Sequence, residues 1–216
     1  QGISIEGVAA DSNAIIGNWV GLDITGQDTI PNRGHGIVVV NGAQNNLIGG
    51  PLVKDRNIVA GNAGSGLVAV GDSTAYNLFQ NNYSGTDTSG TRALGNRDDG
   101  AFIENSQHNI FQGNLLSGNA NYGMTIKGSS HDNIVKNNKI GVQADGLKPL
   151  PNTYSGVLVR DYAKANIIGP ENQIWYHPVV GIHLVDSTVT RIKITKNSIK
   201  GNKEGGIRIT NGANNH

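Results

Sequence analysis

Glu104, Lys127 and Arg160 each lie four residues after a glycine that opens a Gly–apolar–any–apolar segment: Gly100-Ala101-Phe102-Ile103, Gly123-Met124-Thr125-Ile126 and Gly156-Val157-Leu158-Val159. If those segments stack as strands, the three side chains form one column at ~4.8 Å steps. Asp98, Asp99 and Tyr154 sit just before the same segments, and His183 stands two residues after the next such glycine, Gly181. Such a set can do acid–base chemistry. A base takes a proton from beside a carboxylate and a cation neutralises the developing charge, with Lys127, Arg160, Tyr154 or His183 available for those roles. The plainer alternative is a surface ladder in which Glu104 offsets Lys127 and contributes little.

The elements that must position these residues are read from a repeat. The Gly–apolar–any–apolar segment occurs eight times between Gly2 and Gly206, at steps of 34, 30, 34, 23, 33, 25 and 25 residues. Alternating apolar residues predict short strands, and a fixed-period array predicts a solenoid. The first, third and fifth steps carry a longer loop, seen in Gly21–Gly36, Gly85–Gly100 and Gly141–Gly156, each with glycine first, sixth and last and asparagine twelfth. An asparagine column, Asn18, Asn57, Asn82, Asn114, Asn138, Asn172 and Asn197, marks further strands. Another stands four residues before each coil glycine: Asn32, Asn62, Asn96, Asn119, Asn152 and Asn202, broken only by His177. Asparagine at repeated turns tolerates left-handed backbone and bonds along a stack. No sustained 3.6-residue period predicts a helix.

These repeats, with NIVAGN, NIFQGN, NIIG and the loop GTDTSGTRALGN, resemble the parallel β-helix repeat proteins of the right-handed, pectate-lyase-like superfamily. The resemblance spans essentially the whole chain. It implies an all-β, right-handed, single-stranded parallel β-helix of about seven coils with three long loops on alternate coils, one domain over residues 1–216. It also implies that a polysaccharide would lie on the first sheet, flanked by loops. Function is less defined, because the superfamily holds lyases, hydrolases, epimerases and proteins without chemistry. Fragments similar to the pectin-hydrolysing relatives, Gly34-His35-Gly36, Asp98-Asp99 and Arg191-Ile192-Lys193, come in the wrong order and without the Asn-Thr-Asp of that group. The repeated Asp and paired Arg of known lyases are also missing. The leading expectation is therefore a non-catalytic extracellular or cell-surface scaffold, adhesion or assembly module. A polysaccharide lyase, hydrolase or epimerase is the alternative, using Glu104, Lys127, Arg160, His183, Tyr154 and Asp99.

A sugar-binding stripe is a second candidate. Trp19, Ile58, Tyr83 and Leu115 follow successive asparagines of the Asn18 column, and Phe102 lies on the outer face of the first sheet. Aromatic faces suit sugar rings, but the long loops are expected to fold over the stripe and bury it. Asp23 and Asp87 share one loop position and are read as turn formers rather than calcium ligands. His108, His131 and His177 fall at turns with no second His or acid at metal spacing in the sequence, so neither a metal nor a cofactor is expected. Cysteine is absent, which rules out disulfides, and no apolar run is long enough to span a bilayer.

Net charge is +1, yet residues 1–108 hold five Lys/Arg against ten Asp/Glu while residues 109–216 hold twelve against six. The near-zero total and sparse aromatics among the basic residues argue against nucleic acid. With no capping helix before Gln1 and a new coil beginning at Gly206, the expectation is a piece of a longer chain. The competing expectation is self-association, acidic end to basic end, into a salt-sensitive filament.

Overall fold

The computed structural model describes residues 1–214. Three parallel sheets of eight, seven and seven strands run the length of the chain, and within each sheet the strand order is the chain order. Sequence position is therefore axial position, and the charge asymmetry lies along the long axis. The molecule is a right-handed parallel β-helix.

The first sheet comprises Ile3–Glu6, Ile37–Val40, Leu67–Val70, Ala101–Glu104, Met124–Lys127, Val157–Val159, Val180–Val185 and Gly205–Thr210. These are the eight glycine-led segments, and they pair in the register their glycines dictate, for example Ala101 on Met124 and Met124 on Val157. The third sheet, from Trp19–Val20 through Leu115–Leu116 to Ser198–Lys200, follows the Asn18 column. The second, from Ala14–Ile15 through Ile110–Gln112 to Lys193–Ile194, has a further asparagine column of its own: Asn13, Asn46, Asn77, Asn109, Asn133 and Asn166.

All three asparagine columns are hydrogen-bonded ladders. In each asparagine-to-asparagine rung the side-chain NH2 donates to the carboxamide oxygen of the next coil, as from Asn82 to Asn114 (3.1 Å) and from Asn114 to Asn138 (3.1 Å), and His177 interrupts the third column. The same oxygens accept a backbone N–H, so the corners of the coils are satisfied without water. Inside, like side chains stack on like. Phe79 and Phe111 lie 4.3 Å apart and nearly parallel in a dry column that continues through Val135 and Ile168. Helical structure among the described residues is limited to one 3-10 turn, Val53–Asp55.

The long loops stack although a short coil separates each from the next. The amide of Ala144 donates to Gly90 O (2.9 Å), Gln143 Nε2 donates to Thr91 O (3.0 Å), and the Arg92 guanidinium donates to Gln27 O. Loop entry requires glycine. Gly85 has φ +96°, and a Cβ there would sit 2.3 Å from both Ser117 O and Asn119 Oδ1. Asp87 shapes its loop as expected of a turn former: its Oδ1 accepts from the amides of Thr91 (3.0 Å) and Arg92 (3.2 Å). Asp23 does the same with the amides of Gln27 (3.1 Å) and Asp28 (3.2 Å).

Candidate functional site

Side chains on the outer face of the first sheet form two rows. One runs Ser4, Val38, Val68, Phe102, Thr125, Leu158, His183, and the other Glu6, Val40, Val70, Glu104, Lys127. Arg160 continues the second row just past its strand, its amide bonded to Ile126 O (3.0 Å). A third row lies along the corner where the long loops enter this sheet, one residue before each coil glycine: His35, Ser65, Asp99, Tyr122 and Ser155. Val68, Thr125 and Leu158 are buried although they point outward.

Where the three rows meet, the polar groups converge. Asp99 is 2 % exposed, and its Oδ1 accepts the Tyr122 amide at 3.0 Å. Thr125 presents its hydroxyl towards the same carboxyl from a buried position in which it makes no hydrogen bond. Burial, and then the neighbouring Asp98, push the Asp99 carboxyl up to about 7 against the opposing pull of the Thr125 hydroxyl, the Tyr122 amide and then Arg160. Asp98 is itself held by Asn121 Nδ2 (2.8 Å) and Ser65 Oγ (3.2 Å). The Tyr122 phenol is raised by burial and by Asp99, and its ring lies 5.5 Å from that of Tyr154, the more exposed of the two. Lys127 reaches the edge of this group, bonded to Glu104 (3.0 Å) with Nζ 5.3 Å from the Phe102 ring.

Of the residues singled out in the sequence, Asp99, Tyr154 and Arg160 thus surround one spot, with Glu104, Lys127 and Phe102 beside it. Arg160 does not join the Glu104–Lys127 pair; its Nε lies 3.4 Å from Asp161. His183 stands apart, three coils from Asp99 or about 14 Å. It contacts Thr210 Oγ1 (3.0 Å), with its imidazole lowered by burial and by Arg208. Tyr122 was not singled out in the sequence. The register argument that aligned Glu104 with Lys127, applied one residue before each glycine, finds it. Towards the acidic end the same face continues as a groove of about 320 Å³ with a valine floor, Val38, Val40, Val68 and Val70, and a polar rim that includes Glu6, His35 and Asn41.

The aromatic stripe is covered to differing degrees. Ile58 and Leu115 are buried, the Tyr83 ring lies 3.8 Å beneath the Arg56 guanidinium and against Gly90 of the second loop, and Trp19 remains 47 % exposed beside Gly26 of the first. His177 is buried inside an asparagine ladder. His108 and His131, by contrast, do not stand alone. The expectation that no second His or acid falls at metal spacing is corrected here, because coil stacking brings ligand atoms of His108, His131 and the adjacent Asp132 within 4.8 Å of one another.

A parallel β-helix whose first sheet carries a cluster of acid, phenol and cation on its outer face defines the class of protein. The chain belongs to the NosD family: the family described as "Periplasmic copper-binding protein (NosD)" matches residues 11–216. No curated protein matches. Among solved structures the chain is similar to the periplasmic alginate epimerase AlgG, with 16% identity and a TM-score of 0.54 over 83% of this chain and 43% of that one. A point mutant of the same epimerase gives 18% identity and a TM-score of 0.52 over 96% of this chain and 42% of that one. The chain thus spans less than half the length of these structures, and at such identities the likeness is one of fold. No helix among the described residues is long and apolar enough to cross a membrane.

Proposed function

We propose that the outer face of the first sheet binds an acidic polysaccharide in a periplasmic or extracellular setting and exchanges a proton on it at Asp99. The observation that carries this reading is the buried Asp99 carboxyl, which has one amide donor, no ion pair among the described residues, and Tyr122, Tyr154 and Arg160 around it. A buried acid so thinly satisfied costs stability and is retained where it does chemistry. The similarity to an alginate epimerase supports a uronate polymer as substrate class.

In this reading Asp99 accepts the proton from the carbon beside a uronate carboxylate. Arg160 and Lys127 neutralise the charge that builds on that carboxylate. A proton returned to the opposite face of that carbon, with the Tyr122 phenol, kept protonated by burial, as the donor at hand, inverts the centre and epimerises the sugar. If Tyr154 instead protonates the leaving glycosidic oxygen, the C–O bond breaks, a C=C bond forms and the chain is cut.

The full chain is incubated in D2O with a panel of polyuronates and neutral glycans, and products are read by mass spectrometry. Deuterium at the uronate carbon, or unsaturated ends, is the expected result. Asp99→Asn should lower it by more than about 100-fold with the fold unchanged. Deuterium-free, uncut polymer across the panel, or full activity in Asp99→Asn, overturns the catalytic reading and returns this face to a scaffold or adhesion role.

A second reading, copper binding, comes with the family description. The donor inventory favours Cu(II): there is no cysteine, the single methionine, Met124, is fully buried, and imidazole is the nitrogen donor available, with six histidines. Titration of the full chain with Cu(II) tests it. Binding of about one equivalent supports the reading, and no binding above a histidine-free control protein overturns it.

A further inference from the structure

We propose that His108, His131 and Asp132 form a Cu(II)-preferring divalent-metal site on the turns that lead into the second sheet; the assignment rests on the copper reading and gives it a location. His131 belongs to a column of turn residues bridged coil to coil, Gln107 to His131 to Lys164, so its backbone is fixed on both sides. His108 and Asp132 occupy the next column, in equivalent left-handed turns with φ 55° and 54°. The coil step alone brings the two columns together, which explains why residues 23 apart in sequence meet.

The donor geometry suits one ion. His131 Nδ1 and Asp132 Oδ2 lie 2.8 Å apart. Two cis ligands at ~2.0–2.1 Å from a first-row metal are about 2.9 Å apart, close to this separation, so a turn of the two side chains points both donors at one ion beside the N–O line. His108 approaches from the preceding coil, its ring 5.7 Å from that of His131 and nearly perpendicular to it. All three ligand atoms lie within 4.8 Å, and rotation of the partly exposed His131 imidazole closes the remaining gap. Tyr76 stacks parallel on His108 at 5.0 Å and restrains that ring. Two imidazoles, one carboxylate and a solvent-facing side leave room for water in a tetragonal set, the arrangement Cu(II) takes most readily among divalent first-row ions.

The experiment is isothermal titration of the full chain with Cu(II), paired with EPR, on the wild type, His108→Ala, His131→Ala and Asp132→Asn. The expected wild-type result is one equivalent with an axial signal split by two nitrogens. Each histidine variant should lose one nitrogen coupling and bind more than about tenfold more weakly. Circular dichroism and thermal melts confirm that these surface variants fold. Copper bound with unchanged affinity and nitrogen count in both histidine variants overturns this site while leaving the copper reading intact. Absence of copper binding in the wild type overturns both.

Discussion

Asn114→Ala should cost about 3–5 kcal/mol, a large share of the roughly 5–15 kcal/mol that holds an ordinary domain together. Asn114 sits at the middle of the ladder that leads into the third sheet and is wholly buried. Its Oδ1 accepts the backbone amide of Asn82 (2.9 Å) and the side-chain NH2 of Asn82 (3.1 Å). Its own NH2 donates to Phe79 O (2.9 Å) and to Asn138 Oδ1 (3.1 Å). Alanine leaves the Asn82 donors and the Phe79 carbonyl buried without those partners, and each orphan costs about 1–3 kcal/mol. Asn18, at the outermost described rung, makes one ladder bond to Asn57 (3.0 Å) and a local one to Ile16 O (3.0 Å), both outside the fully buried stack. Asn18→Ala should cost only about 1 kcal/mol. Urea unfolding of the pair measures the difference. Equal midpoints would mean that the ladders are decoration and that the apolar columns alone hold the coils.

The ladders also explain why so much of the architecture was legible in the sequence. A solenoid repeats one corner many times, so each constraint is written repeatedly: Gly85 because a Cβ would strike the coil above, Asn114 because its carboxamide is both donor and acceptor. Strand register follows from those positions, since slipping by one residue would turn Ile103 outward and Phe102 into the core. The Glu104–Lys127 pair was readable for the same reason. What was not legible depends on contact across columns rather than along them. The burial of Asp99 beside Tyr122 and Thr125 depends on neighbours in other columns and has no repeat to announce it. The meeting of His108 with His131 and Asp132 is likewise diagonal, between one column and its neighbour on the next coil. Counting residues for metal spacing along the chain misses it.

The frame and the candidate site make opposing demands on protons, and this sets the pH dependence of stability. His177 replaces asparagine in the ladder that precedes the first sheet. Its Nε2 faces the Asn152 NH2 at 3.2 Å and its Nδ1 faces Asn202 Oδ1 at 3.1 Å. Only the neutral ring with the proton on Nδ1 serves both neighbours, since a second proton would oppose the Asn152 donor. Burial lowers the imidazole from 6.5 to about 4. Between those values the unfolded chain binds the proton and the folded chain does not. Stability is therefore lost as pH falls through this window, by up to about 3 kcal/mol.

Asp99 runs the other way. Its carboxyl is raised from 3.8 to about 7, so the folded chain holds the proton that the unfolded chain releases, and stability falls as pH rises across that range. The two slopes oppose each other between about pH 4 and 7, and the wild type should show a shallow profile there. His177→Asn restores the ladder's usual residue and removes the acid-side loss. It should leave stability at pH 7.5 within about 1 kcal/mol of wild type and raise it by about 2–3 kcal/mol at pH 4.5. Asp99→Asn should do the reverse and expose a steeper acid-side loss. Denaturant midpoints measured from pH 4 to 8 for the three proteins test both assignments. Three parallel curves would show that neither group carries the linkage, and a change in only one variant would assign the slope to that residue alone.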